Sequence, residues 1–450
     1  MADRPGVIRR QLALLSDAVA SKLWPVPLIA VVCAVLLGIA LPLLDRVVDD
    51  DLPTWVSGLV FSGGVDAARA VLSAIAGSLI TATSLTFSLT VVALQLASSQ
   101  ASPRLLRMFA SDRMVHATLA MFLGTFAYAL TVLRTVEDAT EDADEFVPRI
   151  ALTVASVLTL ASVVMLVVFL AHLARQLRVE TMMRDVHREA SLTINVLADA
   201  DPGEPVAAPR RPEHVHTVLA EASGFITGVD RGGLIRRAAQ GDIVVRELRT
   251  VGASVIEGTP LLEWWRRGVP DDDDLRRDEQ LGADLAGFVQ SGYERTARQD
   301  VGFGLRQLAD VAVKALSPGV NDPTTAVHAL GHIAAVLGDL AERPTRPEAY
   351  ADADGVARLL PTGDGFDAFL EVGLAQIRHY GSGDPEVVAR LLSLIDDVAW
   401  RARRADQREA LRAQLGRIEA SVDAAEFDDV ERERFRGLAE RARAALSRIG

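Results

Sequence analysis

Residues 67–97 read AARAVLSAIAGSLITATSLTFSLTVVALQLA, and Arg69 is the one charged side chain in this stretch. A helix needs ~20 consecutive apolar residues to cross the hydrocarbon core of a bilayer. Three other runs meet that length, at Trp24–Leu44, Met114–Val136 and Ile150–Ala174. Residues 1–174 therefore predict a domain of four transmembrane helices.

The charged residues around these runs alternate in sign from one connecting segment to the next. Basic residues lie before the first run, after the second and after the fourth: Arg4, Arg9, Arg10 and Lys22, then Arg104, Arg107 and Arg113, then Arg175, Arg178, Arg184 and Arg188. Acidic residues follow the first and third runs: Asp45, Asp49, Asp50 and Asp51, then Glu137, Asp138, Glu141, Asp142, Asp144 and Glu145. Basic segments stay in the cytoplasm, so we expect a multi-pass protein of the bacterial cytoplasmic (inner) membrane, with the lipid bilayer as partner and both termini cytoplasmic.

The composition excludes several classes of protein. The formal net charge of −13 argues against a nucleic-acid partner. Cys33 is the only cysteine, so disulfides and cysteine-zinc sites within one chain are excluded. Arginine supplies nearly all of the positive charge, because Lys22 and Lys314 are the only lysines, and this bias is typical of GC-rich bacterial genomes.

The rest of the chain predicts a cytoplasmic α+β domain. No Pro or Gly interrupts the sequence between Pro148 and Asp199, so we expect one long helix whose segment 175–200 extends the fourth membrane helix into the cytoplasm. Segment 201–213, rich in Pro, is a predicted linker. Residues 214–270 predict a small β-rich module, and residues 271–450 predict a mostly helical region.

The β-rich module has a clear turn rhythm. We expect strands at Phe225–Val229, Ile243–Leu248, Val255–Ile256 and Leu261–Trp264, with a short helix near Leu234–Ala239. The turns at Gly252 and Gly258 make the segment similar to the biotinyl/lipoyl type of module. Such modules attach their cofactor to a turn lysine, and this segment has none, so we expect no cofactor.

The second apolar run carries a polar stripe. By helical spacing, one face is shared by Thr81, Ser84, Ser88, Gln95 and Ser98. Small and hydroxyl residues allow membrane helices to pack closely, which is the first interpretation of this face. The second is that the face lines a water-filled pore.

The loop after this run is basic. Pro103 interrupts the helix, and Arg104 and Arg107 then reach the cytoplasmic interface. They either anchor the loop to lipid phosphates or form a charged cytoplasmic mouth of a pore.

The most distinctive cytoplasmic segment is Glu294–Thr325, where a predicted helix is followed by a sharp turn at residues 317–319. Asp322 is a predicted N-cap, and Pro323 suits the first position of the next helix. The polar candidates at this corner are Arg295, Gln299, Asp300, Arg306, Asn321 and Asp322. A structural corner or subunit contact, a ligand or ion site, and a catalytic site all remain open.

No pattern predicts a metal site or an enzyme. His328 and His332 share a helical face but lack the glutamate of the zinc-hydrolase motif. The pair His214 and His216 and the acidic run 271–274 show no ligand spacing typical of a metal site. Signatures of common hydrolases and nucleotide enzymes are lacking, so we expect no catalytic residues and no metal.

Two motifs carry a resemblance to a known family. Residues 84–109, SLTFSLTVVALQLASSQASPRLLRMF, and residues 294–325, ERTARQDVGFGLRQLADVAVKALSPGVNDPTT, resemble an uncharacterised bacterial family of predicted inner-membrane proteins, known as a domain of unknown function. The resemblance spans about Ser73–Ile333. It implies a four-helix membrane region joined to this cytoplasmic domain and brings no activity with it.

These observations predict an oligomeric channel or transport protein with a cytoplasmic regulatory domain. The second membrane helix would line a path for a small ion or solute, and the subunits would form a homo-oligomer around it. The alternative is a non-conducting, membrane-anchored sensor or scaffold that binds a protein or a small ligand.

Overall fold

The computed structural model describes residues 24–48, 61–100, 112–137, 146–176, 178–199, 204–268, 272–343 and 347–448. The chain forms two compact units, Met1–Thr181 and Met182–Gly450. We call them the membrane unit and the C-terminal unit.

Four helices that are long and apolar enough to cross a membrane form the membrane unit. They are α1 Pro25–Val48, α2 Val65–Gln100, α3 Arg113–Leu133 and α4 Arg149–Gln176. The prediction of four apolar helices is confirmed. Helix α3 packs against each of the other three, and the core contains Leu72, Phe122, Tyr128 and Leu152, all fully buried.

Asp45 has a different role from the one its charge suggested. It lies inside α1, is fully buried, and accepts hydrogen bonds from the backbone N–H groups of Ile150 at 2.9 Å and Ala151 at 3.0 Å. These groups begin α4 and have no partner within their own helix. Asp45 therefore caps α4, and the acidic connecting segment begins after it.

The stretch Pro148–Asp199, predicted as one uninterrupted helix, is described as two helices separated by two residues, of which Leu177 lies outside the described residues. Helix α4 ends at Gln176, and a separate helix, α5, spans Val179–Asp199. At the interruption the Arg178 N–H donates to the Arg175 carbonyl, a three-residue step that replaces the four-residue step of an α-helix. No Gly or Pro marks the place, so local sequence carried no signal for it.

The C-terminal unit combines two sheets with a larger set of helices. Nine strands are described: β1 Pro205–Val206, β2 His216–Leu219, β3 Gly224–Val229, β4 Ile243–Glu247, β5 Ser254–Val255, β6 Pro260–Arg266, β7 Val289–Gly292, β8 Ala349–Ala351 and β9 Ala357–Leu360. One sheet has the order β1-β8-β9-β4-β6-β2, and the other has the order β5-β3-β7. All described pairs are antiparallel except β4 with β9.

The strands expected between Phe225 and Trp264 are present, with helix α6, Arg231–Gln240, where a short helix was expected. The bounds 214–270 are nevertheless too narrow for the module. Strand β1 lies in the segment expected to be a linker, and β7, β8 and β9 come from the region after residue 271. The likeness to a self-contained biotinyl/lipoyl module therefore does not extend to the sheets.

The hydrophobic core around the strands includes Trp264, Leu234 and Leu359, all of which are buried. Helices make up the rest of the unit: α7 Asp272–Ala286, α8 Val301–Ala315, α9 Pro323–Ala341, α10 Phe366–Gly381, α11 Pro385–Ala399, α12 Ala405–Ala424 and α13 Asp429–Ser447. Helix α8 packs against α9 and α10, so the helix of the segment Glu294–Thr325 is buried in the unit, while Glu294 and residues 318–321 are exposed.

Candidate functional site

The polar stripe of α2 lies on the outer side of the membrane unit. Thr81, Ser84, Ser88 and Gln95 are all exposed, while the opposite side of the helix is buried through Leu72, Leu79, Thr86 and Thr90. The side chain of Ser98 lies outside the described residues. The structure thus places the four described members on one accessible face.

From Ala67 to Ser88 the stripe follows alternating steps of three and four residues; Val91 then interrupts it before Gln95. Its further members are small: Ala67, Ala70, Ala74 and Gly77, all exposed. A spacing of this kind keeps one seam of a helix in contact with a neighbouring helix along its length. No atom lies within 4 Å of a Cβ built at Gly77, so the seam is open in the single chain.

Hydrogen bonding distinguishes the members of the stripe. The Thr81 hydroxyl donates to the Gly77 carbonyl at 3.0 Å, so it can face an apolar environment without losing its hydrogen bond. The Gln95 amide has two N–H donors and a carbonyl acceptor, more than its own helix can satisfy. Gln95 therefore demands water or a polar partner more strongly than Thr81 does.

The other outer surfaces of the membrane unit are aliphatic. The exposed residues of α1 include Ile29, Val32 and Leu36, and those of α4 include Leu160 and Val167. Such surfaces suit lipid. Among the described helices, α2 is the one whose outward side carries a seam of mostly small and polar residues, interrupted by Val91 and flanked by exposed apolar side chains such as Leu85 and Phe87.

A second polar group gathers where α3 begins and α4 ends. Asp112 caps α3 by accepting from the Met114 N–H at 2.8 Å. Its other carboxylate oxygen bonds His172 Nε2 at 2.7 Å and Gln176 Nε2 at 2.5 Å. One turn further along α3, His116 is 5% exposed. This group was not predicted from the sequence, although two histidines inside apolar runs are a signal of a polar site in a membrane domain.

Arg104 and Arg107, the predicted cytoplasmic mouth, lie outside the described residues. Their role as lipid anchors or as a charged mouth stays a prediction.

In the C-terminal unit, the polar corner separates into two sites at opposite ends of α8. At the first end, Arg295 binds the Asp300 carboxylate through two hydrogen bonds of 2.8 and 2.9 Å. Asp300 is buried and also caps α8 through the Phe303 N–H at 2.9 Å. Gln299 Oε1 accepts from the Val229 N–H at 2.9 Å and so ties this loop to β3.

Gly252 leaves the space that the Arg295–Asp300 ion pair occupies at the start of α8. It has φ of +87°, and a Cβ there would overlap the Asp300 carboxylate and lie 2.9 Å from Arg295 Nη2. Only a glycine allows the chain to pass so close to the ion pair. The Arg295–Asp300 ion pair and the hydrogen bond from the Val229 N–H to Gln299 hold parts of the fold together, which favours a structural role for Arg295, Gln299 and Asp300.

At the second end, Asp322 caps α9, as predicted. Its carboxylate accepts from the Thr325 N–H at 3.1 Å and from the Thr325 hydroxyl at 2.6 Å. Asn321 precedes it with φ of +50°, a conformation that asparagine tolerates better than most residues. Arg306 is half-buried within α8 and joins neither end. The six corner candidates therefore do not form one site.

The hydrogen bond from the Thr325 hydroxyl, followed by that from its N–H, lowers the pKa of Asp322. A lowered pKa in the folded state means that the carboxylate stabilises the fold above its usual pKa of about 3.9 and loses this effect as pH falls through the folded value. Asp322→Ala should reduce the free energy of unfolding by about 0.5–2 kcal/mol at pH 7. The difference from wild type should shrink as the pH is lowered from about 5 toward 3.

Urea denaturation of the full chain in detergent, repeated at several pH values, measures the difference in the free energy of unfolding between wild type and Asp322→Ala. Asp322→Asn is the matched control, because asparagine also caps helices but does not titrate. If the gap between wild type and Asp322→Ala does not narrow at low pH, the carboxylate is not acting as a charged cap.

The histidines fall in separate places. His332 contacts His187, with their Nδ1 atoms 3.1 Å apart, while His328 lies four residues before His332 on α9. His216 stacks on Trp264, and His214 is exposed. Within the described residues, no group of three or more potential ligands could hold a metal ion. Asp271 lies outside those residues.

Comparisons with known proteins agree with the two motifs. Residues 20–397 match the model of a family described as "Predicted membrane protein (DUF2254)". An uncharacterised protein of Mycobacterium bovis and one of Mycobacterium tuberculosis are each 33% identical over 456 residues, which covers 99% of this chain and 84% of each relative. No solved structure matches. The chain therefore belongs to the DUF2254 family of predicted membrane proteins.

Proposed function

We propose that this protein is a homo-oligomer in which α2 of each subunit faces a shared axis and lines a passage for a small ion or solute. The observation that carries the proposal is the outward exposure of the stripe through Thr81, Ser84, Ser88 and Gln95. The C-terminal unit is then a regulatory domain.

The alternative partner for this face, lipid, is the less favourable one. Polar residues in membrane helices favour protein or water over lipid. The span of α2 is 32 residues, roughly 48 Å at 1.5 Å per residue, so Thr81 and Ser84 lie near its middle. Aliphatic faces on α1 and α4 already provide a surface for lipid, which leaves α2 for the subunit contact.

A second candidate is a non-conducting scaffold, and the small end of the seam favours it. Ala67, Ala70, Ala74 and Gly77 allow helices to approach closely, and Thr81 needs no water. If the α2 helices of neighbouring subunits packed tightly along the whole seam, no water-filled passage would remain between them. The two candidates therefore agree on the contact and differ on whether water enters it.

We infer that both termini are cytoplasmic, because the basic and acidic segments alternate around four apolar helices. In a Cys33→Ser background, a cysteine at Asp142 should react with a membrane-impermeant reagent from outside the cell. A cysteine at Arg188 should react only after the membrane is opened. Labelling of position 188 in intact cells would contradict this topology.

Reconstitution tests the proposed function. Wild-type protein in liposomes should pass small ions or solutes, and its mass in nanodiscs should be a multiple of the 48.3 kDa chain. A full assembly that passes no solute at any voltage, pH or osmotic step would contradict conduction and favour the scaffold. A monomer would contradict both candidates.

A further inference from the structure

Two half-buried histidines meet where α5 packs against α9. Nδ1 of His187 lies 3.1 Å from Nδ1 of His332, and the two rings meet edge to face with their centroids 5.2 Å apart. At this distance the two nitrogens share a hydrogen bond, so one of them carries a hydrogen and the other accepts it. We call these two residues the histidine pair.

The pair lies on the helix through which the chain enters the C-terminal unit. Helix α5 contributes a buried apolar face to that unit, made of Met183, Val186, Ala190 and Ile194. Two hydroxyl contacts add to it, because Ser191 donates to the Asp339 carboxylate at 2.7 Å and Thr193 donates to the Ala297 carbonyl at 2.7 Å. Of these contacts, the histidine pair is the one that contains a group able to change charge near neutral pH.

The contact limits the number of protons that the pair can hold. A neutral imidazole has one N–H group and one free lone pair, whereas a cationic imidazolium has two N–H groups and no lone pair. The contact therefore survives when one ring is cationic, because the other ring still accepts. When both rings are cationic, two N–H groups face each other across 3.1 Å and two positive charges lie 5.2 Å apart. Like charges this close disfavour the doubly charged state by about tenfold or more.

Charged groups of both signs surround the pair. On the two helices that carry it, the charged or titratable side chains within two turns are Glu180, Arg184, Asp185, Arg188 and Glu189 of α5, and His328 and Asp339 of α9. Helix α8 brings Arg306 and Asp310, and Arg401, from the segment after α11, binds Asp339 at 3.0 Å. Helix α10 meets α9 at Gly373, beside the apolar Ile333. Of all these groups, the two rings of the pair and His328 are the ones whose ordinary chemistry changes charge between about pH 5 and 8.

We propose that the histidine pair is a pH switch, which holds α5 on α9 near neutral pH and releases the helix when both rings are cationic. The closed contact accommodates one cation and excludes two, whereas the rings of a released α5 each bind a proton from solution. The released state therefore takes up more protons, so the attachment of α5 weakens as the pH falls through the range in which the second ring becomes charged. The switch is a property of the C-terminal unit and does not depend on a passage along α2.

Hydrogen–deuterium exchange of the full chain in nanodiscs, followed by mass spectrometry, measures the attachment of α5, because amide exchange reports the local opening of a helix. His187→Gln is the reference, since glutamine keeps a polar side chain that stays neutral. Comparison of the two proteins at the same pH removes the intrinsic pH dependence of exchange. The ratio of the α5 exchange rate in wild type to that in His187→Gln should rise about tenfold or more between pH 8 and pH 5.

Three further variants test the mechanism. His332→Gln should remove the pH dependence as His187→Gln does, because the switch needs both rings. His187→Lys carries a charge throughout this range, so protonation of His332 alone gives two cations, and α5 should be released at a higher pH than in wild type. His328→Gln is the control and should behave like wild type, and α12 should exchange alike in all of these proteins.

Two outcomes would show that the pair has a structural role only. One is a ratio that does not change with pH, and the other is a His187→Lys protein that follows His187→Gln at every pH. Loss of the pH dependence in His328→Gln would assign it to that residue and overturn the proposal.

Discussion

Ser84→Leu and Ser88→Leu should each abolish flux through reconstituted protein. Both residues are exposed on the stripe of α2, close to the middle of its span. An apolar constriction in a narrow passage expels water, and ions or polar solutes cannot cross the dry segment. We expect a loss of at least about tenfold in rate, measured as tracer or fluorescent-ion uptake into liposomes.

The control is Phe87→Leu on the same helix. Phe87 is also exposed, but it lies off the stripe, about 100° around the helix from Ser88 and about 60° from Ser84. It should conduct like wild type, and all three variants should assemble to the wild-type mass. Normal flux in both serine variants would show that this face does not line the passage. Loss of assembly in the serine variants alone would support the scaffold.

Gly252→Ala should strongly destabilise the C-terminal unit. An alanine there has to adopt φ of +87°, and its Cβ has to displace the Asp300 carboxylate from Arg295. The first effect costs about 1–2 kcal/mol. Breaking a buried ion pair adds to it, so the free energy of unfolding should fall by about 3–5 kcal/mol.

Gly258→Ala is the matched control for this change. Gly258 has φ of +79°, but no atom lies within 4 Å of a Cβ built there. It should lose only about 1–2 kcal/mol, the cost of the conformation itself. Urea titration of the full chain, followed by tryptophan fluorescence, compares the two. Equal losses in both variants would show that the contact with Asp300 contributes nothing.

Features carried by local sequence were predictable. Apolar length predicted all four membrane helices, and the Asp322–Pro323 pair predicted the start of α9. Both features depend on neighbouring residues only. The cost of placing polar groups in lipid determines the length of the membrane helices, and the need to satisfy N–H groups at a helix end determines where α9 begins.

Features that depend on distant parts of the chain were not predictable. Gly252 meets Asp300 through a fold that brings together segments 48 residues apart, and β4 pairs in parallel with β9 more than a hundred residues later. No Gly or Pro lies near the end of α4 at Gln176, so the sequence did not indicate that the helix ends there. For the stripe, helical spacing predicted the shared face, but only the packing of α3 on the opposite side of α2 shows that this face is exposed.

Thiol accessibility at the stripe tests the central claim most directly. Cys33 is the only native cysteine, so a Cys33→Ser background allows single cysteines at Ser84 or at Leu160, an exposed aliphatic position of α4. Thiols react as thiolates, which form in water and not in lipid. With a water-soluble methanethiosulfonate reagent on reconstituted protein, we predict rapid labelling at position 84 and very slow labelling at position 160. Labelling at position 84 as slow as that at position 160 would contradict a water-filled passage along α2.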